Sequence, residues 1–272
     1  MSNSPAPSST PVRAIPGLLI PPRTLDTPGH WFLMRFLSKF VLSFFGWYFP
    51  MRIVGVENIP TTGPLLVVIN HLSVMDIPTL GALLVQRGWH PGVTLFSIAK
   101  QEVFRKRVTG WLAPLFGMFP VYRNQVDLNA MRTMLAILKH GSTLGIAPEG
   151  TRSPTGHLQL FQPGVAKIAI QKRVPILPVG LIGVERVMPI GSRFPRRVPI
   201  TAYVGQVFEL SEYYGRHLSP QELERAAWDM RAQVAALLPE WMRELPPEDA
   251  EVRFGSVRSA GMTRSGDAAV ER

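Results

Sequence analysis

The residues of this chain best suited to acid–base chemistry are a histidine and an aspartate five positions apart, His71 and Asp76. They follow an unbroken apolar run, residues 65–69, which predicts a buried strand. Histidine titrates near neutral pH, and a carboxylate that accepts its Nδ1–H leaves Nε2 available as a general base. Because this spacing does not match one helical face, the pair needs a turn to meet. The alternative is a loop histidine beside an aspartate that caps the next helix.

The sequence offers this histidine no evident protein nucleophile to activate. The chain contains no cysteine and no Gly-x-Ser-x-Gly segment. Ser73 lies near His71 in the chain but lacks that setting. The pattern therefore predicts direct transfer of a group to a hydroxyl of the substrate, without a covalent enzyme intermediate.

A second polar segment, residues 149–152, has the composition of an anion site. Gly150 inside a polar turn allows backbone N–H groups to converge on an anion. Arg152 can grip a phosphate with two hydrogen bonds, and Glu149 can orient that arginine or hold a substrate hydroxyl. The alternative is an ordinary surface turn with a salt bridge.

The order of apolar and polar segments predicts an α/β sheet, in which sites form beyond the carboxyl ends of the strands. His71, Lys100, Arg123 and residues 149–152 each follow an apolar run, so we expect them at one edge of the sheet. The predicted strands are residues 51–57, 65–69, 93–99, 119–122, 144–147, 176–182 and, as an edge strand, 201–204. The predicted helices are residues 78–85, 128–138 with Leu128, Met131, Leu135 and Leu138 on one face, 165–171, and 219–238 after a capping box at Ser219.

The ends of the chain differ in composition from the domain predicted between them, residues 51–245. Residues 1–30 are rich in proline and serine and predict a flexible arm, and residues 246–272 predict a flexible tail. Residues 31–50 are strongly hydrophobic, with Arg35, Lys39, Ser43 and Gly46 on one helical stripe. This pattern predicts an amphipathic helix at a membrane interface. The alternatives are a helix packed on the domain or a membrane span.

The overall charge of the 272-residue chain, +10, predicts an anionic partner. Without cysteine or a His-Glu-x-x-His segment, we expect no metal site. We also expect no nucleic-acid partner, because no RNA-binding or helix-turn-helix signature is present. A phospholipid surface fits best, and Arg105, Lys106 and Arg107 would favour its anionic headgroups. The alternative for these bases is that they are solvated loop charges.

Four segments in order, across about residues 50–210, resemble the blocks of the glycerolipid acyltransferases of the 1-acylglycerol-3-phosphate acyltransferase type. Residues 70–76 are similar to the Asn-His-x-Ser-x-x-Asp block of this family, and residues 117–123, 148–153 and 174–179 to its other three blocks. The resemblance implies one α/β acyltransferase domain, with a mostly parallel or mixed sheet flanked by helices.

The resemblance also implies a reaction and roles for individual residues. A fatty acyl chain would pass from acyl-CoA or acyl carrier protein, as co-substrate and without a further cofactor, to the free hydroxyl of lysophosphatidate, giving phosphatidate. His71 would be the base and Asp76 its orienting partner. The residues implied in substrate binding are Asn70, Ser73, Glu149, Gly150 and Thr151 together with Lys100, Arg123 and Arg152, of which the last three would bind the phosphate.

Two alternatives to this function stay open at the level of sequence. The same chemistry can act on another acceptor, such as glycerol 3-phosphate, another lysophospholipid or a glycolipid, or the protein can be a non-catalytic lipid-binding scaffold. Because the acceptor dissolves in a bilayer, we expect a peripheral or monotopic protein on the cytoplasmic face of a membrane.

Overall fold

A computed structural model of the protein describes residues 28–92, 94–122, 127–192 and 194–245. Its strands are Met51–Val54 (β1), Leu65–Ile69 (β2), Leu95–Lys100 (β3), Met118–Val121 (β4), Thr143–Ile146 (β5), Ile176–Ile182 (β6) and Ile200–Val204 (β7). Its helices are Pro28–Tyr48 (α1), Asp76–Val85 (α2), Gln101–Arg105 (α3), Arg107–Leu112 (α4), Leu128–Lys139 (α5), Pro163–Lys172 (α6), Val184–Val187 (α7), Pro220–Ala235 (α8) and Glu240–Arg243 (α9). The predicted tail and all but the last three residues of the predicted arm lie outside the described residues.

The strands form one mixed sheet in the order β1-β7-β6-β2-β5-β3-β4, which confirms the predicted α/β class. The five strands from β6 to β4 are parallel, whereas β7 runs antiparallel to β6 and parallel to β1. The prediction of β7 as an edge strand is wrong, because it lies between β1 and β6. Buried and partly buried side chains alternate along β7, a pattern that resembles an edge strand. Its pairing with β1, which is distant in the chain, cannot be recognised from neighbouring residues.

Two apolar cores cover the two faces of the sheet, and β2 supplies both. Leu66 and Val68 point into the core with α5, α6 and α8, whereas Leu65, Val67 and Ile69 point into the core with α1 and α2. All five side chains are buried, as expected for a central parallel strand. Each contributes roughly 1.5–3 kcal/mol by leaving water, so the strand that precedes His71 is firmly fixed.

Helix α1 packs one face on α2 and exposes a ridge of aromatic side chains. Leu42 and Phe45 are buried, and a methyl group added at Gly81 of α2 would lie 3.1 Å from Cδ2 of Leu42. The exposed ridge consists of Phe36, Phe40, Phe44 and Trp47, and Trp47 is 74% exposed. Within the described part of the chain, we find no helix with the length and apolar character needed to cross a bilayer.

Two predicted helices differ from the structure in one side chain or in length. On the predicted face of α5, Leu138 is buried, and Met131 and Leu135 pack against the core. In α5 the buried side chains are Ala130, Thr133, Met134, Ile137 and Leu138, while the predicted core residue Leu128 is exposed. Asp127 caps this helix by accepting a hydrogen bond from the amide of Ala130 (2.9 Å), which turns Leu128 outward. The capping box at Ser219 is confirmed, but α8 ends at Ala235, three residues before the predicted end.

Candidate active site

The carboxyl ends of three neighbouring strands bring the predicted site residues to one edge of the sheet. β2 pairs with β5, and β5 pairs with β3. His71 follows β2, the turn that contains Glu149 follows β5, and Lys100 ends β3 with an exposed side chain. Arg123 lies outside the described residues.

His71 and Asp76 meet across the turn between β2 and α2, which confirms the predicted geometry. Asp76 is the first residue of α2 and is fully buried. Its Oδ2 accepts hydrogen bonds from Nδ1 of His71 (2.7 Å) and from the amides of Leu72 (2.8 Å) and Ser73 (2.9 Å). Since a carboxylate only accepts, Nδ1 of His71 carries the hydrogen and Nε2 has a free lone pair. The side chain of His71 remains 18% exposed.

Burial and hydrogen bonding have opposite effects on the pKa of Asp76. Burial raises the pKa of Asp76, while the His71 ring and the two amide groups act in the opposite direction. Three N–H donors on one oxygen favour its charged form. The turn can therefore hold a buried carboxylate beside the imidazole, where it would stabilise a protonated ring.

Glu149 is buried next to this turn, and both of its oxygens are engaged within the protein. Oε1 accepts a hydrogen bond from the backbone amide of His71 (2.7 Å), and Oε2 accepts from the amide (3.2 Å) and the side-chain Nε2 (2.8 Å) of Gln159. Burial raises the pKa of Glu149 to about 7, against the opposing effect of these hydrogen bonds. Glu149 thus fixes the backbone of His71, in place of the contact with Arg152 that the sequence suggested.

Gly150 opens a tight turn that places Thr151 and Arg152 at the surface of the site. Its φ of +76° lies in the left-handed region that favours glycine. Beyond the turn, the amide of Ser153 donates to the carbonyl of His71 (2.7 Å), which fastens the two turns together. Thr151 is exposed and Arg152 is partly exposed, so both remain available to a ligand.

Comparisons with known proteins give a family match and a structural match. Residues 50–182 match the model of the family described as Acyltransferase. The chain is also similar to the crystal structure of the 1-acyl-sn-glycerophosphate acyltransferase from Thermotoga maritima. That similarity has a TM-score of 0.57 and 27% identity, and it covers 76% of this chain and 79% of that chain. The chain belongs to this acyltransferase family.

Two sequence relatives carry different acceptors in their names. This chain is 34% identical over 150 residues to a chloroplastic 1-acyl-sn-glycerol-3-phosphate acyltransferase of Brassica napus, covering 53% of this chain and 41% of the relative. It is 34% identical over 119 residues to a lyso-ornithine lipid O-acyltransferase of Pseudomonas aeruginosa, covering 43% of each chain. The chain thus spans less than half the length of either relative.

Asn70 and Ser73, which the resemblance implies in substrate binding, are buried and make contacts within the protein. The buried amide of Asn70 donates to the carbonyl of Leu181 (2.9 Å) and accepts from its amide (2.7 Å), which ties β2 to β6. The hydroxyl of Ser73, also buried, donates to the carbonyl of Met188 (3.0 Å). Their place in the first block reflects support of the turn on its β6 side.

Gln159 and Arg231 support the turn after β5, and neither was predicted from the sequence. Nε2 of Gln159 bonds to Glu149 and to the carbonyl of Thr151 (2.9 Å). Arg231, on α8, is 4% exposed and donates to the carbonyls of Leu158 (2.6 Å) and Gln159 (3.0 Å). A signal for Arg231 was present, because it is a charged residue on the apolar face of α8. Gln159 has no comparable signal.

The described residues of the acyltransferase domain contain no cluster of three histidine, aspartate or glutamate side chains that could hold a metal ion. The donor set of the site is instead one imidazole, buried carboxylates and surface bases. This set suits proton transfer and the binding of an anionic group.

Proposed function

We propose that this protein transfers a fatty acyl chain from acyl-CoA or acyl carrier protein to the free hydroxyl of lysophosphatidate, giving phosphatidate in phospholipid synthesis. The observation that carries the proposal is the 2.7 Å contact between Nδ1 of His71 and Asp76, which leaves Nε2 as a base. The Brassica relative, which bears the name of this activity, supports the choice of acceptor.

In the proposed reaction, Nε2 of His71 takes the proton of the acceptor hydroxyl while the oxygen attacks the thioester carbonyl of the donor. The new ester C–O bond forms and the C–S bond breaks. The departing thiolate takes the proton from the imidazolium, so a thioester and an alcohol become an ester and a thiol. Asp76 would stabilise the imidazolium between these steps, as a carboxylate does in hydrolase triads.

The acceptor phosphate is assigned to the exposed side of the site. Arg152 would bind it with two hydrogen bonds, assisted by Lys100 at the end of β3 and by Arg123 after β4. Gly150 and Thr151 would shape the turn beside it, while Glu149 would act through the backbone of His71. This division follows from exposure, since Arg152 and Lys100 reach the surface and Glu149 is buried.

The test of the proposal is the variant His71→Ala, assayed with purified protein, acyl-CoA and lysophosphatidate. Loss of a general base should lower kcat by roughly 10²–10⁴-fold, while binding to lipid vesicles is retained. The matched control is His217→Ala, since His217 is exposed and lies far along the chain from the site. Full turnover by the His71 variant would contradict the mechanism and leave the non-catalytic scaffold as the better account.

A second acceptor deserves the same assay because the Pseudomonas relative is named for a lyso-ornithine lipid, which has no phosphate. If Arg152 binds the phosphate, lysophosphatidate should be acylated faster than lyso-ornithine lipid at equal concentration. Arg152→Gln should raise KM for lysophosphatidate and leave KM for lyso-ornithine lipid unchanged. Equal turnover of both acceptors by the unmodified protein would remove the assignment of Arg152.

We place the protein on the cytoplasmic face of a membrane as a peripheral or monotopic protein, with α1 in the interface. The support is the exposed ridge of Phe36, Phe40, Phe44 and Trp47 on a helix whose other face packs on α2. Replacing Phe40, Phe44 and Trp47 by serine should weaken vesicle binding without changing the melting temperature. Deleting α1 would be a poorer test, because it would uncover the core around α2.

A further inference from the structure

A second exposed surface combines bases with large apolar side chains, in the segment that follows Lys100. Three exposed bases lie where α3 ends and α4 begins: Arg105, Lys106 and Arg107. Val108 and Trp111 of α4 are 69% and 63% exposed. Their spacing of three residues places them on one side of the helix. Isolated exposed apolar residues are ordinary, but a valine and a tryptophan together beside three bases form a patch that suits a partner.

This surface, which we name the α4 patch (residues 105–111), is joined through a short turn to the side of the sheet that carries α1. Helix α4 leads directly into a short 3-10 turn, Ala113–Phe116, which contacts α1 and α2. Phe116 packs against the core between the sheet and these two helices. The α4 patch is also next to the site in the chain, since α3 begins immediately after Lys100 at the carboxyl end of β3.

We propose that the α4 patch is a second contact with an anionic phospholipid bilayer, in addition to α1. This inference rests on the proposed function, because an acceptor that stays in the bilayer must reach the edge of the sheet where His71 lies. With contacts at both α1 and α4, the bilayer would meet the protein beside the entrance to the site.

Charge and apolar area together favour a bilayer over an acidic carrier protein as the partner. The bases match anionic headgroups, and the chain as a whole carries a net charge of +10. Trp111 and Val108 are exposed beside the bases, and an aromatic ring with an aliphatic neighbour suits the boundary between headgroups and acyl chains. A bilayer that covers this patch can also reach the ridge of α1, because the turn Ala113–Phe116 joins α4 to α1 and α2.

The absence of cysteine from the chain permits a direct test with one label per variant. An environment-sensitive fluorophore is attached to Val108→Cys and, as the matched control, to Ala232→Cys, an exposed position on α8 across the sheet. Vesicles that contain phosphatidylglycerol should shift the emission at position 108 to the blue and protect it from an aqueous quencher. They should leave the label at position 232 unchanged, and vesicles of phosphatidylcholine alone should have a weaker effect at position 108.

Affinity for the same vesicles gives a second measurement. Replacing Val108 and Trp111 by serine should weaken binding by about tenfold or more, as expected for two apolar side chains that leave the interface. Replacing Arg105, Lys106 and Arg107 by glutamine should weaken it by roughly fivefold per charge. Trp241→Ser is the control for loss of an exposed tryptophan elsewhere, since Trp241 is 54% exposed on α9.

Two outcomes would overturn the inference. The label at position 108 could stay in water while the protein is bound to vesicles, which would confine the contact to α1. It could instead respond to an acidic acyl carrier protein in the absence of lipid, which would make that protein the partner. The two proposals can fail separately. If the unmodified protein acylates lysophosphatidate, His71→Ala does not, and the label at position 108 stays in water, the proposed function stands and only the α4 patch is rejected.

Discussion

The two turns that form the candidate site are held in place by different kinds of contact. In the turn after β2, Asp76 accepts hydrogen bonds from the ring of His71 and the amides of Leu72 and Ser73, none of them more than five residues away. In the turn after β5, Glu149 and the carbonyl of Thr151 depend on Gln159, which lies outside the turn. The first turn therefore contains its own acid–base pair, although Glu149 and Ser153 also bond to the backbone of His71. The carboxylate of the second turn depends on a residue ten positions along the chain.

This difference leads to different expectations for substitutions in the two turns. A change in the first turn should reduce catalysis with little effect on stability, since the same backbone amides can still find an acceptor. A change in the second should alter stability, pH dependence or both, because its carboxylate is buried among contacts that come from elsewhere.

The largest effect is expected from Asp76→Asn. The side-chain oxygen of asparagine can still accept the amides of Leu72 and Ser73, but the charge that stabilises the imidazolium of His71 is gone. We expect kcat to fall by roughly 10²–10⁴-fold, with the free energy of unfolding changed by no more than about 1 kcal/mol. Steady-state kinetics and urea unfolding of the same preparation check both values. A loss of stability large enough to account for the loss of activity would show that the first turn is not self-contained.

The next largest effect concerns the pH dependence that Glu149 gives to stability. Its native pKa of about 7 lies above the ordinary value of 4.5, so the native state retains a proton that the unfolded chain has released between these values. The stability contributed is therefore complete below pH 4.5 and is lost as the pH rises through 7, by about 3 kcal/mol.

Urea unfolding between pH 4.5 and 8 measures this contribution when the protein is compared with Glu149→Gln. The free energy of unfolding of the unmodified protein should fall with rising pH relative to that of the variant, which lacks the titrating group. Because Asp76 is present in both proteins, its own pH dependence cancels from the difference. Parallel pH profiles would mean that Glu149 is not the group responsible.

A smaller effect is expected from Gln159→Leu, which removes two hydrogen bonds from the second turn without touching the first. The bond from Gln159 lowers the pKa of Glu149, so its loss should raise that pKa further and move the decline of stability with rising pH to higher pH. Because the backbone of His71 is held by Glu149, kcat should also fall by about tenfold, the scale of a hydrogen bond to a charged group. KM should change little.

The control for this substitution is Gln162→Leu, three residues away with an exposed side chain. It should leave the pH profile of stability where it is. A loss of activity in Gln159→Leu, with no movement of the stability profile along the pH axis, would reduce Gln159 to a merely structural residue.

The contrast between the turns also explains how far the sequence could predict the structure. The meeting of His71 and Asp76, and the central position of β2, follow from neighbouring residues, so local patterns were sufficient. The position of β7 beside β1 and the support of Glu149 by Gln159 depend on residues brought together only by the folded chain. For Asn70 the sequence indicates a motif but not its contacts. Its hydrogen bonds to Leu181 on β6 cannot be predicted from the spacing of residues in the motif.

The smallest effect is expected at Gly150, where the second turn relies on backbone conformation rather than on side chains. A methyl group there would meet nothing closer than 3.6 Å, at Cγ of Gln162, so the cost of Gly150→Ala comes from its φ of +76°. We expect a loss of about 1 kcal/mol in the free energy of unfolding. The matched control is Gly164→Ala in α6, where an added methyl group has open space and alanine should stabilise the helix by about 0.5–1 kcal/mol. If both substitutions changed stability in the same direction, the left-handed conformation at Gly150 would not be what holds this turn.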